Sequence, residues 1–416
     1  MVLFFCGTAQ AAGYDPAWAA QKPLRQIAIK PAPDASATQN GAALVQATAA
    51  LQPGDRLEVG AGTYSMSRRW DLQVSGTAQA PVWIEAAKDA HVIITRPDNK
   101  QNVLNVGPDA AVRFLCLRGL EFTGGSHGLR LGLCSQVWID GCHIHHTDGV
   151  CLSANTADTS HLYLTRCHIH HGARQGEGMY LGANNAQHIM SHSVIALNHI
   201  HDCRGEQGDG IEVKQGSWGN LIAENHVHDC QYPCITVYGT GGRSVNVIER
   251  NLCYNSADSV MQVQGEAIVR NNVLINGLNS GFASTDHQGQ TLNLHVIHNT
   301  IINSHHAFRG GSWNARQGMV LANNVLYSRD AHAFHFANGN SGVSITGNVV
   351  LGEGPTFDSS LGHGLEDFEN VTWDATQHNT APANVAPFNH ADAEYQLGTD
   401  FFGEARTKPT SGAIAH

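Results

Sequence analysis

From residue 114 to 352 the chain repeats a short alternation of apolar and polar positions: Asn, Gly or Cys, then a triplet centred on Ile or Val in most copies. Cys142-His-Ile-His, Cys167-His-Ile-His, Asn198-His-Ile-His and Asn225-His-Val-His are the purest; Gly119, Asn251, Asn271, Asn299, Asn323 and Gly347 open looser ones. The copies recur every 20 to 31 residues. A second alternation follows within the repeat, as in Gly149-Val-Cys-Leu-Ser, Gly178-Met-Tyr-Leu-Gly, Gly210-Ile-Glu-Val-Lys and Cys234-Ile-Thr-Val-Tyr. Period-two alternation makes half-buried strands, and a ragged repeat of this length is one turn of a β-solenoid. Val150, Leu152, Met179, Leu181, Ile211, Val213, Ile235 and Val237 are expected to face inward and their neighbours outward. Asn at the corner tolerates left-handed backbone and can hydrogen-bond along the stack. Cys142 and Cys167 at that corner read as inward packing. The expected molecule is one all-β domain of about ten coils, capped at its N-terminal end because an open coil leaves strand edges unpaired.

Composition narrows what this frame can do. Of 416 residues only 14% are charged, and Lys+Arg (24) against Asp+Glu (35) leaves −11. Nucleic-acid binding needs clustered basic residues and is excluded as a simple function. No run of about 20 apolar residues exists to span a membrane. Met1 to Phe5 is apolar and Thr8 to Ala12 supplies small residues, so residues 1–12 read as the end of an export signal. Residues 13–352 then form cap and solenoid, and 353–416 a closing segment. A secreted or periplasmic monomer follows. Cleavage would leave nine of the ten cysteines, so at least one stays free; Cys203–Cys230 or Cys230–Cys234 are possible bridges.

Residues at one register of successive coils stack at about 4.8 Å, so outward positions form ladders. One ladder is expected to run Cys151, Tyr180, Glu212, Thr236, Gln262, and its neighbour Ser153, Gly182, Lys214, Tyr238, Gln264. Asp148, Glu177 and Asp209 precede these strands. Exposed Asp-Gly and Glu-Gly pairs are ordinary turn chemistry, but with Glu212 and Lys214 on one face they make a candidate site. Carboxylates of this kind can hold Ca²⁺, and a Lys of lowered basicity can remove a proton.

The coil pattern resembles the right-handed parallel β-helix (pectin-lyase-like) superfamily. Pro53 to Tyr64 is similar to the opening coil of its secreted members, and Asp400 to Ala415 to their closing segment. Asp209-Gly-Ile-Glu-Val-Lys214 through Asn220 resembles the acidic strand of alginate-lyase and chondroitinase-B-like enzymes. That resemblance implies β-elimination of an acidic, uronate-containing polysaccharide, with Ca²⁺ held by acidic residues (here Asp148, Glu177, Asp209 and Glu212). It also implies a Lys base, here Lys214, assisted by an Arg on the next coil. This chain has Tyr238 at that place, with Arg243 in the loop beyond it. Lys214 also lies nearer Glu212 than the family's spacing puts the base. Glycoside hydrolysis or epimerisation on the same scaffold is the alternative within enzymes, since paired carboxylates also serve hydrolysis. A non-catalytic carbohydrate- or metal-binding β-helix is the alternative outside them.

Histidine is the second anomaly, at 26 residues. His143, His168, His199 and His226 share one outward register; His145, His170, His201 and His228 share another; His146, His171, Asp202 and Asp229 cap the strands. Ladder packing with sugar contact, His199 and His226 included, is the expected role. Catalysis by His171 or His201, with Tyr180 nearby, and a shared transition metal are the other roles weighed. Trp218, beside the acidic strand, and the outward Arg309 are candidate substrate contacts; Trp70, Trp83, Trp138 and Trp313 are weaker sugar platforms. No phosphate-binding or dinucleotide motif stands in a strand–turn–helix context. Gly362-His-Gly lies outside the coils and is taken as chance.

Overall fold

The computed structural model describes residues 11–415; the apolar start and Cys6 of the expected export signal lie outside them. Parallel strands wind into a right-handed β-helix of about 13 turns. The excess over ten comes from coils outside the repeat of residues 114–352. Arg25–Ile29 pairs with Asp55–Val59 before the repeat, and Asp358–Leu361 pairs with Ser344–Glu353 after it.

Each central coil has three faces. The first carries Tyr163–Thr165, Val194–Ala196 and Leu221–Ala223; the second carries His168–His170, His199–His201 and His226–Cys230. The third is an 11-stranded parallel sheet that includes Met179–Leu181, Ile211–Val213 and Ile235–Val237. Ile169, Ile200, Leu164, Ile195, Ile211, Val213 and Ile235 are fully buried between them, and Val237 is 1% exposed. At the corner between the first two faces the left-handed residue is Arg166, Leu197, Glu224 or Arg250 (φ 52° to 60°). The Asn that follows is therefore not the strained residue. Its side chain turns inward, and Asn198, Asn225, Asn251, Asn272, Asn299, Asn324 and Asn348 hydrogen-bond in series at 2.9–3.0 Å. Asn271, Asn323, Gly119 and Gly347, read as corner residues, occupy the left-handed position instead.

A helix lies at the N-terminal end, and the C-terminal segment lies along the side of the coils. The helix Ala37–Ala49 starts at a Ser36 capping box and plants Leu44 in the core. In the later coils the closing segment covers the second face: Phe388, Phe401 and Ile414 pack on Val325, Tyr327 and Val349. Tyr327 and His363, of the Gly362-His-Gly stretch, both bond the buried Asp367 there. Nine cysteines are buried free thiols; the bridges considered for Cys203, Cys230 and Cys234 are not formed, and these side chains fill inward positions. Trp70, Trp83, Trp138 and Trp313 are at most 2% exposed, which removes them as sugar platforms.

Candidate active site

The outward ladder of the third face runs Asn105, Arg130, Ser153, Tyr180, Glu212, Thr236, Gln262, Ala283, Arg309, His335. Ser153, not Cys151, pairs with Tyr180. Gly149 and Gly178 look equivalent in sequence, but the Leu152 N–H donates to the Gly178 carbonyl, so Cys151 falls opposite Gly178 and is buried in the core. From Tyr180 upward the expected order holds.

Glu212 and Lys214 project from Ile211–Val213 and the residue after it, and they form a direct ion pair. The Lys214 ammonium lies 4.7 Å from the centroid of the Tyr180 ring and 5.1 Å from that of Tyr238, within cation–π range. Asp209 accepts a 2.5 Å hydrogen bond from Thr236. Both carboxyl oxygens of Glu177 are buried without a partner. Burial pushes the Glu177 carboxyl up to about 7, with the Glu212 charge adding to it, and the same two causes lift Asp209 well above the carboxylate range. Burial and then Glu212 raise both phenols. One buried cation thus faces three acids.

Two loops explain why Lys214 and Glu212 are only 5% exposed. The Asn185 N–H donates to Gln288 Oε1 at 3.2 Å, and Gln288 Nε2 donates to Asn184 at 3.3 Å. The first loop packs Ala186 near Gly216, and the second lays the His287 ring 5.5 Å from that of Tyr238.

The other expected residues lie elsewhere. Asp148 pairs with Arg174 at 2.7 Å; it lines a cleft of about 830 Å³ with His146, His171, Asp202 and Arg204. His171 and His201 belong to the second face and its corner, as do His199 and His226, so none of them joins Lys214. Arg243 donates to the Gly216 carbonyl at 3.0 Å, and Trp218 stands past the turn, edge-on to His192 at 4.2 Å. Arg309 is on the ladder of Glu212, four rungs further along.

Sequence reasoning missed Arg130, three rungs before Glu212. It opens onto a cavity of about 390 Å³ with Arg69, Lys100 and His127. Its guanidinium contacts His127 Nε2 at 2.9 Å, while its Nε is buried and unpartnered. Burial, and then Arg130's charge, hold His127 down at about 4. The signal was the alternation Leu129-Arg-Leu131.

A family model described as right handed beta helix region matches residues 98–246. No curated protein matches the sequence. Pectate lyase Pel9A superposes with a TM-score of 0.57 at 15% identity, covering 95% of this chain and 98% of its own. The xylose complex of XylC gives 0.58 at 9% identity, covering 89% and 94%. The PL6 family alginate lyase AlyGC gives 0.52 at 14% identity, covering 90% of this chain and 60% of its own. The chain has the right-handed parallel β-helix fold.

Proposed function

We propose that the protein is an exported lyase that cleaves a uronate-containing polysaccharide by β-elimination. The observation that carries this reading is the buried Lys214–Glu212 pair between two tyrosines, on the same ladder as Arg130, which has no carboxylate partner among the described residues. Proton transfer from Lys214 to Glu212 leaves a neutral amine. That amine takes the proton α to the uronate carboxylate, the electron pair forms the ring double bond, and the bond to the departing glycosidic oxygen breaks. Tyr238, or Tyr180 on the other side of the lysine, gives that oxygen its proton; raised phenols are donors rather than bases. The proton left on Glu212 then passes to the phenolate, which restores the charged Lys214–Glu212 pair and the neutral phenol. Arg130 and the cationic cavity around it suit the carboxylate of a preceding sugar.

Of the acids expected to hold Ca²⁺, Asp148 is engaged by Arg174 and Glu212 by Lys214. The unpartnered Glu177 oxygens and Asp209, both short of positive charge, fit such an ion. Bound there, Ca²⁺ would supply neutralisation of the substrate carboxylate.

A hydrolase is the second reading, favoured by Glu177, whose carboxyl sits near neutrality as a general acid does. One experiment separates them: incubation with a panel of polyuronates, glycosaminoglycans and neutral glycans. A lyase yields ultraviolet-absorbing unsaturated ends from acidic polymers alone. Saturated reducing ends would support hydrolysis, and no cleavage of any polymer would overturn both.

A further inference from the structure

The second face presents a different chemistry, independent of the polysaccharide reading. His143, His168, His199 and His226 stack with ring centroids 4.7–5.0 Å apart, and His145, His170, His201 and His228 at 4.9–5.2 Å. The stacks are joined diagonally between rungs. Nε2 of His168 lies 2.8 Å from Nε2 of His201, and Nε2 of His199 lies 3.0 Å from Nε2 of His228. On their far side His201 and His228 donate Nδ1–H to Asp202 at 2.9 Å and Asp229 at 2.7 Å. A carboxylate only accepts, so in its neutral form each of these rings has its hydrogen on Nδ1 and its lone pair on Nε2, aimed at the neighbouring histidine. That is the arrangement by which a carboxylate behind a histidine fixes a metal ligand. The trios His168, His199, His201 and His199, His226, His228 each bring their ligand nitrogens within 4.8 Å of one another.

We propose that this face is a binding site for a divalent transition metal of the Zn²⁺, Ni²⁺ or Cu²⁺ class, centred on His199. Metal–nitrogen bonds of about 2.0–2.1 Å at a tetrahedral angle set ligand nitrogens roughly 3.3 Å apart. The diagonal pairs are therefore within about half an ångström of metal spacing, with one shared proton where the ion would sit. All-nitrogen donors select against Ca²⁺ and Mg²⁺, which take oxygen. Three imidazoles leave the fourth position open, and the three rings of each trio are partly exposed. Because His199 belongs to both trios, one ion there excludes a second from them; the trios His143, His168, His170 and His145, His146, His170 on the same face have histidine rather than aspartate behind His145 and His170.

The test uses full-length protein without a polyhistidine tag, stripped with chelator and titrated with Zn²⁺ by calorimetry and with Co²⁺ by visible absorption. Expected is one tight site on this face and the intense Co²⁺ band of tetrahedral coordination. His199→Ala should weaken it by at least about a hundredfold, and the double change Asp202→Asn with Asp229→Asn by about tenfold or more. His306→Ala, in the separate trio His306, His332, His335, should leave the site intact. The double variant keeps every ring, so it tests the site even where His199→Ala fails to fold. Zn²⁺ affinity unchanged in both variants, or a six-coordinate Co²⁺ spectrum, would overturn the proposal.

Discussion

The second and third faces of the same coils answer one problem in opposite ways. On the second face successive rungs repeat the same residue, and each outward ring meets a like partner: imidazole on imidazole, with Asp202 and Asp229 closing two of the diagonals. On the third face no rung repeats its neighbour, and Tyr180, Glu212 and Thr236 succeed one another. Repetition lets every group satisfy the next. Variation leaves Glu177 without a partner, Asp209 short of charge and Lys214 as their common counter-ion. A solenoid is thus most informative where its ladder stops repeating.

The strongest way to break this contrast is to remove the singular residues. Lys214→Ala and Glu212→Ala should each lower turnover at least about a hundredfold, the scale of losing a positioned acid–base group. Lys214→Arg should not restore it, because a guanidinium stays charged and cannot serve as the base. Tyr238→Phe should cost about tenfold or more by removing a proton donor. Wild-type turnover in a folded Lys214→Ala protein would move the chemistry off this face.

A pH test sharpens the same point. The Glu177 carboxyl is held at about 7 against an ordinary 4.5, so the folded chain binds a proton that the unfolded chain has released. Stability is then lost as pH rises from about 4.5 to about 7 and stays lower above that, by roughly 3 kcal/mol. Glu177→Gln should therefore match wild type at the acid end of that window and exceed it in urea unfolding at pH above about 7. Parallel stability–pH curves for the two proteins would show that Glu177 has a partner after all.

What sequence made legible follows from the same contrast. The inward Ile211, Val213, Ile235 and Val237, the histidine registers and the Glu212–Lys214 pairing all rest on period-two alternation, which survives any error in loop length. The placement of Cys151 and Asp148 failed because it depended on matching glycines across a loop whose length changes between coils. Arg130 was missed because the second alternation was followed only from Gly149 onward, one coil after Leu129-Arg-Leu131. The contact of Asn184 and Asn185 with Gln288 spans more than 100 residues, and no local pattern encodes it. The left-handed corner went to Leu197 or Glu224 rather than Asn because the inward amide is worth more as a ladder bond than as a tolerant turn residue.

That ladder supplies a stability comparison. Asn251 is fully buried; its side chain accepts from the Asn225 N–H and Nδ2 and donates to Ile222, Glu249 and Asn272. Asn251→Ala should cost about 2 kcal/mol or more, since it strands several buried groups at once. The check is urea unfolding at constant m-value.

The smallest effect is expected on the histidine face, and it decides whether that face is scaffold. His168 stacks between His143 and His199 and meets His201 at 2.8 Å. His168→Phe keeps a flat ring in the stack and removes one hydrogen bond whose partner, His201, is still held by Asp202 and can turn its free nitrogen to water. The net loss of such a partly exposed bond is under about 1 kcal/mol. Measured with chelator present, so that no bound ion contributes, His168→Phe should therefore unfold within that margin of wild type, well short of Asn251→Ala. Equal costs for the two would make the imidazole ladder as structural as the asparagine ladder. A small cost means that its repeated rings are not needed to hold the coils together.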